Sequence, residues 1–212
     1  MKTDLEKIRR QDLVRAAYET FLEYGLGGMT MARIGDQAGM SHGIVNYYFR
    51  NKDQLLSVVV RYANCLIMQE VIQRLKAART PRERLSAVVA GNFPEHLFIR
   101  ETANAWVSFY AAVPSNPEFE RLQMAVYRRL HSNVAYDLKQ LIEPVAAEEI
   151  AVGISVWIDG LWLRRAMKRD SLDAEQAIRA VNVYIDTCLA AAKPARRRPA
   201  AEPNPGRSKR RR

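Results

Sequence analysis

The sequence predicts an all-α protein with a short helical domain at the N-terminus and a longer helical bundle after it. Apolar residues recur at helical spacing along most of the chain, beginning with Leu13, Ala17 and Phe21. No segment shows the two-residue alternation that is typical of a half-buried β-strand. Glycine and proline divide the pattern into segments that are short before about residue 50 and long after it.

Breaks and capping residues predict three short helices in the first part. YGLGG at residues 24–28 ends the first helical pattern. Thr30 is a candidate N-cap for a helix over residues 31–38, and a glycine follows that helix. Ser41 is a candidate N-cap for a third helix over residues 42–48.

Longer helices are predicted for the rest of the chain, and five or six of them are enough for a bundle. Their expected ranges are about 53–78, Pro81 to before Pro94, 100–113, 117–143, 146–168 and 172–192. We therefore expect an N-terminal domain over residues 1–50, a helical domain over 51–192 and a tail over 193–212.

The net charge of +10 is concentrated in the last 20 residues. The tail KPARRRPAAEPNPGRSKRRR contains nine Lys or Arg and one Glu, which leaves a charge of only +2 for the other 192 residues. It has no apolar residue larger than Ala or Pro, so we expect it to be disordered. Either it only solubilises the end of the chain, or it attracts phosphate groups without sequence preference.

Three features predict a cytoplasmic protein that has no membrane association. No apolar run approaches the ~20 residues that a membrane-spanning helix needs. The N-terminus has basic residues without the apolar region of a secretory signal. Cys65 and Cys188 have no partner at metal-ligand spacing, so we expect reduced thiols and no metal.

Catalytic motifs are missing from the sequence. His42, His96 and His131 are scattered without HExxH spacing, and no GxSxG or glycine-rich phosphate loop is present. His131 and Ser132 are adjacent, but neighbouring residues of a helix point ~100° apart, which makes a poor base–nucleophile pair. We therefore expect neither an enzyme nor a bound cofactor.

The stretch AGMSHGIVNYYFRNK, residues 38–52, concentrates hydrogen-bonding side chains on one short helix. Two short helices joined by a glycine turn form a helix-turn-helix, whose second helix enters the major groove of DNA. A structural helix of two turns gains little from so many exposed polar groups. Phe49 is expected to pack inside the domain, and Tyr48 either packs beside it or contacts phosphate. The predicted DNA-binding residues are Thr30, Ser41, His42, Gly43, Asn46, Tyr47, Tyr48 and Lys52.

The segment MTMARIGDQAGMSHGIVNYYFRNKDQLL resembles the DNA-binding signature of the TetR family of bacterial repressors. The matching residues are Thr30, Ile34, Ala38, Gly39, Ser41, Gly43, Tyr47, Tyr48, Phe49, Lys52 and Leu55. Gly35 stands where the family usually has Ala, and we expect it to weaken its helix by ~1 kcal/mol. The resemblance covers the chain except the tail. It implies a homodimer that binds double-stranded palindromic operator DNA and releases it when a small molecule enters the C-terminal domain.

The segment AVGISVWIDGLWLRR, residues 151–165, has apolar residues on nearly every side of a helix. Such a helix is buried all round, so one face can pack on its own core and another on a partner. The family dimerises through its last two helices, and the resemblance implies the same here, with Gly160 permitting close helix contact. The predicted interface residues are Ile154, Ile158, Leu161, Ile178, Val181 and Ile185.

Two segments of the C-terminal domain carry a further resemblance, which implies a site for a quaternary amine. The segments AWVSFYAAVPSNPEFERLQMAVYRRLHSNV and WIDGLWLR resemble the choline-responsive repressors of glycine-betaine synthesis within the family. A quaternary ammonium cannot donate a hydrogen bond, so aromatic faces hold it, each contributing ~0.5–2 kcal/mol, together with a carboxylate. Trp157 and Trp162 are ~140° apart around a helix and are not expected to line one cage together. The candidate ligand-binding residues are Trp106, Phe109, Tyr110, Tyr127, Trp157, Asp159 and Trp162.

Three alternatives stay open from the sequence. The aromatic residues can simply form the core, and Asp159 can pair with Arg164 instead of a ligand. A TetR-type regulator of another pathway would sense a different molecule, such as a lipophilic drug or an acyl-CoA. An architectural DNA-binding protein would use the basic tail and bind with little sequence preference, although it would not need an aromatic-rich second domain.

Overall fold

The computed structural model describes residues 2–167 and 172–195. Within these ranges the chain is helical and forms no strand, which confirms the predicted all-α class. A short 3₁₀ turn, Val113–Ser115, separates the sixth and seventh helices. The helices are α1 (Lys2–Gly28), α2 (Met31–Ala38), α3 (His42–Tyr48), α4 (Lys52–Leu75), α5 (Pro81–Asn92), α6 (Arg100–Ala112), α7 (Pro117–Leu138), α8 (Pro144–Met167) and α9 (Ala174–Ala191).

Local capping chemistry explains most of the helix boundaries. The Thr30 side chain accepts a hydrogen bond from the Arg33 N–H at 3.3 Å and so caps α2, as predicted. Capping boxes start α5 at Thr80 and α9 at Asp173. The boundary between α7 and α8 was predicted less well, because Pro144 stands at the first position of α8 and α7 ends earlier, at residue 138.

The YGLGG segment breaks the first helical pattern, as predicted, through a kink inside α1. Gly25 has a φ of +62°, which only glycine adopts without strain, and a further helical turn follows it to Gly28. The backbone N–H of Leu26, which the kink frees, donates to the Ser108 hydroxyl of α6 at 3.0 Å. A hydrogen bond from a distant helix therefore stabilises the break just before α2.

The first three helices and the start of α4 share an apolar core. Its fully buried members include Leu13, Phe21, Val45 and Phe49. Gly35 is also buried. It does more than weaken α2, which was the only effect expected from the sequence. A Cβ on Gly35 would lie 2.7 Å from the Met40 carbonyl oxygen, so the tight turn between α2 and α3 requires glycine there.

The remaining helices form a bundle around α4, α5, α7 and α8. Gly91 brings α5 so close to α4 that an added Cβ would lie 2.5 Å from the Val71 Cα. The fully buried carboxylate of Asp137 on α7 accepts from Arg84 Nε of α5 at 2.8 Å. Arg82 of α5 binds Asp186 of α9 at 2.7 Å. These contacts lie at the end of the bundle that is remote from α3.

α4 contains one segment, Asp53–Leu75, that is long enough to cross a bilayer and that includes an 18-residue window with a mean hydropathy of 1.5. The expectation that no apolar run approaches this length was therefore wrong. Length and composition alone do not separate a membrane-spanning helix from the core helix of a soluble protein. Here α1, α5 and α7 pack against α4, and the segment carries the ion pair between Glu70 and Arg74. In this fold it is a central helix of the bundle.

The predicted tail is tied to the bundle at its beginning. The Glu143 N–H donates to the Lys193 carbonyl at 3.1 Å, and the Ala195 N–H donates to the Leu141 carbonyl at 3.0 Å. Residues 193–195 are thus ordered against the α7–α8 connection, which corrects the prediction that disorder begins at 193. The rest of the predicted tail, 196–212, lies outside the described residues.

Candidate DNA interface and effector cavity

The helix α3 presents a polar face to solvent and an apolar face to the core. Val45 is fully buried, whereas His42, Gly43, Asn46 and Tyr47 are exposed. The Asn46 side-chain amide lies 3.3 Å from His42 Nδ1, which confirms that the two side chains share a face. When the proton of His42 is on Nε2, its Nδ1 accepts a hydrogen bond from the Asn46 amide N–H. The Asn46 carbonyl oxygen can then accept a hydrogen bond from a base.

The other predicted DNA-binding residues surround α3. Ser41 occupies the N-cap position of α3, as predicted, but its hydroxyl makes no capping hydrogen bond and is therefore available to a phosphate. Tyr47 is 76% exposed, and its ring meets the partly buried Tyr48 ring edge-on at 5.2 Å. Tyr48 also packs against the core, so the structural part of its predicted role is present. Lys52 is the first residue of α4, and its side chain lies outside the described part of the structure.

A small cavity of about 50 Å³ lies inside the bundle between α4, α6, α7 and α8. Four of the predicted aromatic residues and the predicted carboxylate line it: Trp106, Tyr110, Tyr127, Trp162 and Asp159. Trp106 and Tyr110 are one helical turn apart on α6, and their rings stack at 6.0 Å. We refer to this cavity as the inner chamber.

Asp159 is the only acidic residue among the side chains that line the inner chamber. Burial raises the pKa of Asp159, and a hydrogen bond with Tyr127 offsets part of that rise. Burial also raises the pKa of Tyr127, and the neighbouring Asp159 carboxylate adds to the effect. Tyr110 responds in the same way, its pKa being raised by burial first and by Asp159 second. The chamber therefore holds a carboxylate that would be stabilised by a cation.

Trp162 is held in place at the edge of the chamber. Its Nε1–H donates to the Asn92 carbonyl of α5 at 3.1 Å, and the Phe98 ring meets it edge-on at 4.9 Å. Because the indole N–H is already hydrogen-bonded, Trp162 presents only apolar ring surface to the cavity.

Two of the predicted ligand-binding residues lie elsewhere. Phe109 is fully buried and packs against Phe119 at 5.4 Å, so it supports the chamber from behind and does not line it. Trp157 is 41% exposed on the opposite side of α8 and packs against Tyr184 of α9 at 5.8 Å. The separation of Trp157 and Trp162 around the helix explains why only the second reaches the chamber.

Polar lining residues were missed from the sequence. Asn64 of α4, Asn92 of α5 and Gln123 of α7 all face the inner chamber. Gln123 is buried and is hydrogen-bonded to Tyr110 and Tyr127. A polar residue within an apolar helical stripe is the signal that could have revealed Asn64, because its neighbours at helical spacing are Val60 and Ile67.

The predicted dimer-interface residues belong to the core of the single chain. Ile154, Ile158, Leu161, Val181 and Ile185 are all at most 4% exposed. Ile178 is partly buried and packs against the same core. The exposed apolar side chains of α8 and α9 are different ones: Val145, Val152, Val156, Trp157, Leu163, Met167 and Val183. Within the protomer, an added Cβ on Gly160 would meet nothing within 4 Å, whereas one on Gly153 would collide with the Tyr184 hydroxyl.

Comparison with known proteins identifies the family. Residues 13–59 match the family of bacterial regulatory proteins named tetR, and residues 81–190 match the C-terminal domain of the BetI-type transcriptional repressors. The chain belongs to the TetR family, with a C-terminal domain of the BetI type. It is a homodimeric, ligand-responsive transcriptional repressor that binds DNA in the cytoplasm, and it is not an enzyme.

Curated relatives match nearly the full length. The transcriptional regulator BetI of Brucella canis is 36% identical over 184 residues, which cover 87% of this chain and 93% of the relative. BetI of Paraburkholderia xenovorans is 37% identical over 190 residues, which cover 89% of this chain and 97% of the relative.

Solved structures show the same fold. A transcriptional regulator of Pseudomonas aeruginosa PAO1 aligns with a TM-score of 0.74 at 24% identity, over 87% of this chain and 92% of that one. A regulator of Saccharomonospora viridis, solved in complex with choline, aligns with a TM-score of 0.75 at 20% identity, over 84% of this chain and 95% of that one.

Proposed function

We propose that this repressor controls genes of glycine-betaine synthesis or choline uptake and is released from its operator by choline or a related quaternary amine. The observation that carries the proposal is the inner chamber, in which four aromatic rings surround one carboxylate. Aromatic faces and a desolvated carboxylate are the groups that recognise a quaternary ammonium. The BetI relatives and the choline complex of the Saccharomonospora viridis regulator support this choice.

On DNA, each protomer inserts α3 into a major groove of a palindromic operator. Asn46 and His42 face the bases, while Thr30, Ser41, Tyr47 and Lys52 contact the backbone. Gly43 has no side chain, and only the Ser41 hydroxyl oxygen would lie within 4 Å of an added Cβ, so this part of α3 can approach the groove closely. Residues 1–50 act as the reading domain and 51–192 as the effector and dimerisation domain. The repressor is associated with the nucleoid while it is bound.

Self-association uses the exposed apolar face of α8 and α9. Val152 and Val156 lie on the side of α8 that borders α7, Trp157 lies toward α9 against Tyr184, and Val183 lies on α9. These side chains are exposed in the single protomer, so pairing two copies through them would remove apolar surface from water. This face replaces the buried isoleucines as the proposed interface.

Two contacts connect the effector chamber with the DNA-reading helices. α4 contributes Asn64 and Ile67 to the chamber wall and begins directly after the turn that follows α3. α6 contributes Trp106 and Tyr110, and Ser108 between them accepts the hydrogen bond from the kink of α1. An effector that prefers the chamber shape of the DNA-free state would therefore shift the population away from the operator-binding state.

The test is a titration of the purified dimer by calorimetry with choline, glycine betaine and 3,3-dimethylbutan-1-ol. The alcohol has the shape of choline without its charge, so it separates a cation site from a merely apolar cavity. Saturable binding of choline to one site per protomer, with no binding of the alcohol, is expected. Absence of heat at millimolar choline would remove the choline assignment and leave a TetR-family repressor of another pathway.

A further inference from the structure

The inner chamber is adjacent to a larger groove that opens at the surface between α4, α5 and α7. This outer groove has a volume of about 280 Å³. Five side chains line both spaces: Asn64, Ile67, Asn92, Val126 and Leu130. We refer to the larger space, between α4, α5 and α7, as the outer groove.

The two spaces differ in chemistry. The outer groove is walled mainly by aliphatic side chains, including Met68, Val71, Ile72 and Leu75 from α4. Of these two spaces, the inner chamber is the one lined by aromatic rings and by the carboxylate of Asp159. An amphiphile would therefore find a cation site at one end and an aliphatic channel at the other.

The charges at the two ends define an orientation. Arg129 lines the outer groove, where its guanidinium lies 3.4 Å from the Met68 sulfur. This cation repels an ammonium group in the groove, whereas Asp159 attracts one in the chamber. The aliphatic stem of Arg129 can cover an alkyl chain while its charged end stays in water.

Size also favours a ligand that uses both spaces. The inner chamber, at about 50 Å³, is much smaller than the outer groove, at about 280 Å³. A compact ammonium group therefore suits the chamber better than a long chain does. The α4 wall of the groove from Asn64 to Ile72 is ~12 Å long, since a helix rises 1.5 Å per residue. An extended chain of about eight carbons has a similar length.

Two other grooves border the inner chamber, and both fit an alkyl chain less well. One is lined by Val152 and Val156 on the proposed dimer face, so a second protomer would cover it. The other carries the carboxylate of Glu120. Of these three grooves that share lining residues with the inner chamber, the outer groove lies away from the proposed dimer face and has no acidic residue in its lining.

We propose that the effector site extends into the outer groove and binds cationic amphiphiles, with the quaternary ammonium in the inner chamber and an alkyl chain along α4. This inference rests on the proposed function, because it adds a chain-binding arm to the same cation site. Since the chain would contact the helix that carries the DNA-reading domain, longer chains should also release the operator at lower concentration.

The experiment measures the affinity of choline and of three derivatives in which one N-methyl group is replaced by butyl, hexyl or octyl. All are used below the concentration at which they form micelles. A fully buried methylene tightens binding about fourfold, and we expect roughly twofold to threefold per methylene because the groove is open on one side. A flat or falling series beside saturable choline binding would overturn the inference and leave the proposed function standing.

A pair of variants locates the chain. Ile72 is 45% exposed in the outer groove, and Ile8 of α1 is similarly exposed and lies outside it. Ile72→Gln should remove most of the gain from hexyl and octyl while choline binding stays unchanged, whereas Ile8→Gln should change neither. Equal effects of the two variants on the hexyl derivative would place the chain elsewhere and refute the groove. Hexyl binding that depends on Ile72, without detectable choline binding, would support the groove and refute choline as the effector.

Discussion

The carboxylate of Asp159 offers the sharpest test of the cation site. Asp159→Asn keeps the size and shape of the side chain and removes its charge. The substitution leaves Trp106, Tyr110, Tyr127 and Trp162 in place, so the aromatic part of the site persists. Loss of choline affinity in this variant would therefore measure the contribution of the charge alone.

The expected magnitude follows from the geometry of the small chamber. A quaternary nitrogen in the inner chamber would lie ~5 Å from the Asp159 carboxylate, and two unit charges at that distance attract by ~3 kcal/mol at an effective dielectric constant of ~20. The amide dipole of asparagine and partial solvent screening recover some of this energy. We expect choline affinity to fall by about tenfold to hundredfold.

Protein stability should respond in the opposite direction. Burial raises the folded-state pKa of Asp159, so at neutral pH the folded protein holds a carboxylate that would be better solvated in the unfolded chain. The asparagine variant lacks this penalty and should melt at an equal or higher temperature at pH 7. As pH falls from above the raised folded-state pKa toward the unfolded value of ~3.9, the stability of the wild type should increase relative to that of the variant.

Calorimetric titration of choline and thermal unfolding without ligand measure the two effects on the same samples. A weaker binder that is at least as stable cannot be explained by misfolding. Unchanged choline affinity in a correctly folded Asp159→Asn dimer would refute the role of the carboxylate. Lower stability at pH 7 would instead show that the hydrogen bond with Tyr127 outweighs the cost of burial.

Four further predictions address the reading helix, the connection between domains, the packing and the dimer. Asn46→Ala should weaken operator binding by ~1–3 kcal/mol and leave random DNA almost unaffected in fluorescence anisotropy, and an equal loss on both would exclude base recognition. Ser108→Ala removes the hydroxyl that accepts a hydrogen bond from the Leu26 N–H at the kink of α1. Choline should still bind to this variant but should release the operator less effectively. An operator-release curve identical to that of the wild type would exclude this connection. Gly91→Ala should lower the free energy of unfolding in urea by ~1–3 kcal/mol, because the added Cβ would overlap the backbone of α4. Gly27→Ala is the control, since an added Cβ there would meet nothing within 4 Å. Similar urea midpoints for the two variants would contradict the close packing. Val156→Asp should shift the dimer toward monomer in sedimentation, and a dimer of unchanged affinity would place the interface elsewhere.

Interactions within a few residues determined what the sequence could predict about this protein. The capping residue Thr30 and the prolines at helix starts act on their own helix ends, so their effect is visible without the fold. The boundaries of α2 and α3 were accordingly predicted to the residue. The polar face of α3 was predictable for the same reason, since spacing on a helix places His42 and Asn46 together.

Helical spacing also predicted part of the effector site. Trp106 and Tyr110 share a face of α6, and both line the inner chamber. Phe109 has the same spacing signal, but the packing of α7 brings Phe119 against it and buries it. The contribution of Asn92 and Gln123 from other helices depends on how α5 and α7 pack, which no local pattern reports.

Only the tertiary structure decided which residues of α8 face the core and which remain exposed. This helix is apolar on nearly all sides, so its sequence has no polar face to show which residues meet the chain's own core. Packing against α6, α7 and α9 buries Ile154 and Ile158 and leaves Val152 and Val156 exposed. The sequence alone therefore determined the helices and the DNA-reading motif through local interactions. The effector chamber and the free apolar face depend on contacts between distant helices and became visible only in the folded chain.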